Sequence, residues 1–82
     1  MATSKQDIQR WFEEGKRSNA THMVVVCDTF DWEDYPVYVM GEPVESVVAK
    51  YSDPNTMQKV MEVYNLSLDM QTQLDTNRVW NI

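Results

Sequence analysis

At 82 residues the chain has room for one domain, 1–82, with a modest core, since a chain this short buries only about 60–65 % of its unfolded surface. A hydrophobic fraction of 43 % with two glycines and three prolines excludes a disordered polymer, and no apolar run nears the ~20 residues of a bilayer span. A formal charge of −6 excludes general binding to a nucleic-acid polymer, because an acidic body repels a phosphate backbone.

Residues 4–18 read as a helix. Ser4 is its N-cap, Asp7 answers it as a shorter capping box, and Ile8, Trp11, Phe12 and Gly15 share one face. Lys16 and Arg17 suit the C-terminal end of the dipole, and Asn19 ends the helix. Residues 21–28 read as the central strand, because the run Met23 to Cys27 is continuously apolar and needs cover on both faces. After a loop over 29–34, residues 35–40 give a second strand. Pro36 places it late or at an edge, and the short connection makes an antiparallel hairpin.

Gly41 and Pro43 lead into a second helix with Val44, Val47, Val48 and Tyr51 inward, stopped at Ser52-Asp53-Pro54-Asn55. Residues 57–66 fit either a helix face or a strand. We read a strand, since three strands under helices are far more stable than an isolated hairpin. A short helix over 68–77 turns Leu68, Met70 and Leu74 inward, and the apolar tail Val79-Trp80-Asn81-Ile82 docks on the body. The predicted fold is α+β, a two-layer α/β sandwich: a small three-stranded, mainly antiparallel sheet packed by helices in the order α-β-β-α-β-α. The methionines at 23, 40, 57, 61 and 70 are expected inside it as flexible filler.

Cys27 is the only cysteine, so no disulfide forms within the chain, and a reducing compartment is implied. The N-terminus lacks the apolar region of a signal peptide, and the reading is a cytoplasmic protein without a membrane partner. With disulfides gone and no metal site supported, self-association, a dimer in the first instance, is the way to add buried surface. Charge is uneven: residues 1–20 hold four Lys or Arg against three acids, and residues 21–82 hold three against ten. A near-neutral helix on an acidic body suits head-to-tail pairing.

The most distinctive stretch is Asp28-Thr29-Phe30-Asp31-Trp32-Glu33-Asp34. It lacks the glycine and the spacing of a calcium loop, so its acids read as turn caps rather than metal ligands. Its aromatics are good interface anchors, so the candidate partner-binding residues are Phe30, Asp31, Trp32, Glu33, Asp34 and Tyr35. His22, the only histidine, lies an odd number of residues from Cys27 on one strand. The two therefore point to opposite faces and cannot form a dyad. His22 reads instead as a strand-end residue bonding a backbone group. No catalytic residue and no cofactor is assigned. Anion or nucleotide contacts, if a ligand is held, fall to Arg10, Lys16, Arg17 and Arg78.

The hairpin from Ala20 to Val39, the stretch Met57 to Tyr64 and the Trp80-Asn81 ending resemble a group of short uncharacterised proteins of bacteria and bacteriophages. That resemblance covers nearly the whole chain and implies an origin rather than an activity. The expectation is a small non-enzymatic binding module acting through self-association and the acidic-aromatic loop. The alternatives are a phage-type sponge that sequesters a signalling nucleotide or inhibits host defence, and a metal-assisted hydrolase using the loop acids.

Overall fold

The computed structural model describes residues 4–76 and 78–82. Helix α1 spans Lys5–Arg17, strand β1 His22–Asp28, strand β2 Glu33–Val39, helix α2 Val44–Tyr51, strand β3 Gln58–Asn65 and helix α3 Met70–Leu74, with a 3-10 turn at Pro54–Thr56. This is the α+β order α-β-β-α-β-α. The Ser4 hydroxyl accepts the Asp7 N–H while the Asp7 carboxylate accepts the Ser4 N–H, so α1 starts on a full capping box. Asn19, in the left-handed region at φ 64°, follows its end.

The strands lie in the order β2-β1-β3, and both pairings are antiparallel. Residues Met23 to Cys27 of β1 are all buried. Met23 and Val25 face α1 and α3 and pack with Ile8, Phe12, Tyr64, Leu66 and Leu74. Val24 and Val26 face α2 and pack with Val39, Val44, Val47 and Val63. The expected helical layer is thus divided between the two faces, which is what a strand apolar on both sides requires. Gly15 lets α1 lie close to the sheet, since a Cβ there would come within 2.8 Å of Leu66 Cδ1.

The tail docks, as its apolar character requires. Val63 N–H donates to Val79 O at 2.9 Å and Asn81 N–H donates to Val63 O at 3.0 Å, so residues 79–81 cover part of the outer edge of β3. Three local expectations are corrected. Strand β2 begins at Glu33 rather than Tyr35, because Asp28 pairs directly with Glu33 and the loop shrinks to Thr29–Trp32. Helix α3 is shorter than 68–77, because the Asp69 carboxylate accepts the Thr72 N–H and hydroxyl and starts the helix at Met70; Asn77 lies outside the described residues. Leu68 is exposed, and so are Met40, Met57 and Met61, while Met23 is buried and Met70 half-buried. Met61 is pushed out by a β-bulge: Val25 faces Glu62 and Val26 faces Val60, leaving Met61 without a partner on β1.

The inward polar residue of α3 is Gln73. Its Oε1 accepts from Asn65 N–H at 2.8 Å and Asn81 Nδ2 at 2.9 Å, while its Nε2 donates to Asn65 O at 2.9 Å and Asp69 O at 3.1 Å. One buried amide therefore joins β3, α3 and the tail with its full bonding capacity used. Gln73→Leu keeps the bulk but leaves the Asn65 N–H without this acceptor, while Asn65 O keeps the Leu68 N–H. We expect urea denaturation to show a loss of about 1–3 kcal/mol, and no measurable loss would contradict this role.

Candidate functional site

The hairpin tip is built by Asp28. Its Oδ1 accepts the Phe30 N–H at 2.8 Å, its backbone O accepts the Trp32 N–H at 2.6 Å, and Thr29 N–H donates to Met57 O at 2.8 Å. The last bond brings the turn before β3 alongside the tip. Two bulky residues here occupy left-handed backbone, Trp32 at φ 57° and Met57 at φ 57°. Glycine, asparagine or aspartate would be the economical choice at such positions; each other residue type costs about 1–2 kcal/mol. Both side chains are nonetheless exposed, Trp32 at 58 % and Met57 at 49 %, with Phe30 beside them at 71 %. Lys59 Nζ lies 5.5 Å from the centroid of the Trp32 ring, a cation over its face.

Beside the tip, α1 does not reach the end of its sheet face. A cleft of about 460 Å³ opens there, between the start of α1 and the end of α3. Its floor is apolar, from Ile8, Val25, Met61, Tyr64 and Leu74. Lys5 and Arg78 stand on its rim with Asp34 and Glu62. Lys5 also lies 3.8 Å from the Asp75 carboxylate. Glu62 is engaged by its own chain, since the Tyr64 hydroxyl donates to Oε1 at 3.1 Å and Val79 N–H to Oε2 at 3.4 Å.

The structure divides the residues singled out as partner-binding. Phe30, Asp31 and Trp32 form the exposed tip, and Glu33 is exposed at the start of β2. Asp34 points to the other face, toward Cys27 and the cleft. Tyr35 packs on the α2 side with Val26 and Val60 and accepts a hydrogen bond from the Gln58 amide, so it supports the tip from beneath. The four cations do not share one cleft. Arg78 lines the one described, Lys16 lines a separate hollow with Asn19 and His22, Arg10 pairs with Asp7 at 3.4 Å, and Arg17 is exposed at the end of α1.

Among the described residues no three His, Cys, Asp or Glu side chains gather as they would around a metal ion, and no helix is long and apolar enough to cross a membrane. His22 and Cys27 do face opposite sides of the sheet. His22 bonds the Thr21 hydroxyl at 3.0 Å rather than a backbone group, and its buried Nε2 has no hydrogen-bond partner among the described residues. The cleft was not visible in the sequence, because its walls come from five separate segments. Against protein-family models, curated proteins and solved structures, the chain has no match.

Burial pushes the Cys27 thiol above its ordinary range, with the Asp34 carboxylate adding to the effect, so the thiol is inert near neutrality. Burial, seconded by the Glu62 carboxylate, likewise raises the Tyr64 phenol far above its usual range. A raised phenol stabilises the fold fully below the unfolded value of about 10 and loses that contribution as pH rises past it. Stability is therefore expected to fall above about pH 10, by up to about 1.4 kcal/mol per pH unit from this group. Tyr64→Phe should flatten that fall in alkaline denaturation curves; an unchanged slope would contradict the assignment.

Proposed function

We propose that this chain is a non-enzymatic binding module that acts by contact, self-associates, and uses the Thr29–Trp32 tip as its anchor. The observation that carries this reading is the pairing of backbone cost with exposure at Trp32 and Met57. Each left-handed position would be relieved by glycine, yet both keep a bulky, exposed side chain, Trp32 with Lys59 over its ring face. Strain held at an exposed aromatic serves an interaction outside the fold. Phe30 and Trp32 supply apolar area, and Asp31 and Glu33 at the rim favour a partner surface carrying cations. Self-association also suits a domain of this size, whose own core is small. The separation of Arg10, Lys16, Arg17 and Arg78 gives no support to nucleotide sequestration, and the dispersed loop acids give none to a metal-assisted hydrolase.

Trp32→Gly separates folding from contact. It relieves the left-handed backbone and removes the indole, at the cost of chain entropy and the Lys59 contact, so unfolding free energy should stay within about 1 kcal/mol of the parent. Sedimentation velocity should show the parent associating as concentration rises and the variant remaining monomeric. A variant that associates like the parent would remove the tip from the interface.

A further inference from the structure

We draw no further inference here: the strongest candidate, the apolar-floored cleft between the start of α1 and the end of α3, balances Lys5 and Arg78 with Asp34 and Glu62 on its own wall, so its charge selects no ligand and nothing in the structure shows what covers it.

Discussion

Everything in this fold answers to the burial of β1 on all sides. Met23 to Cys27 present apolar side chains to both faces, and their backbone is paired along both edges. Such a strand cannot stand in a sheet with a wet face. It forces α1 and α3 onto one side and α2 onto the other, and it makes β2 and β3 the two edges. The edges are protected differently. Residues 79–81 pair across β3 at Val63, and Pro36 removes one backbone donor from β2.

The same constraint shapes the tip. Once β1 runs in register with β2 from His22–Val39 out to Asp28–Glu33, only Thr29 to Trp32 remain to reverse the chain. A turn this tight, closed by Trp32 N–H on Asp28 O, places its last residue in left-handed backbone. The geometry of the hairpin thus fixes where the cost falls, and the side chain at that position is an exposed indole. Local structure, energetics and contact chemistry converge there on one residue.

The elements themselves were legible because their signals are local. The Ser4–Asp7 box, the helical spacing of Ile8, Phe12 and Gly15, the valine run of β1 and the Pro36 edge each report their own segment. The strand at 57–66 was settled by a global argument, the need for a third strand, since its periodicity fits two answers. What stayed hidden depends on pairings between distant segments. The bulge at Met61 needs the register of β3 on β1. The inward turn of Gln73 needs Asn65 and Asn81 as partners, so a polar residue took the place expected for Leu68. The acidic loop was recognised, but the early start of β2 takes Asp34 and Tyr35 into the strand, Asp34 opposite Cys27 and Tyr35 on the α2 side. The cleft, walled by Lys5, Asp34, Glu62 and Arg78, has no sequence signature at all.

The proposed function has an exposed Trp32 covered by a second chain on association. The most direct measurement is the emission of Trp32 alone, in a chain with Trp11→Phe and Trp80→Phe, followed through a dilution series. Association through the tip predicts a blue-shifted, quencher-protected indole at high concentration that moves red and becomes accessible to iodide as the protein is diluted. An indole that is equally red and equally accessible at every concentration would contradict it.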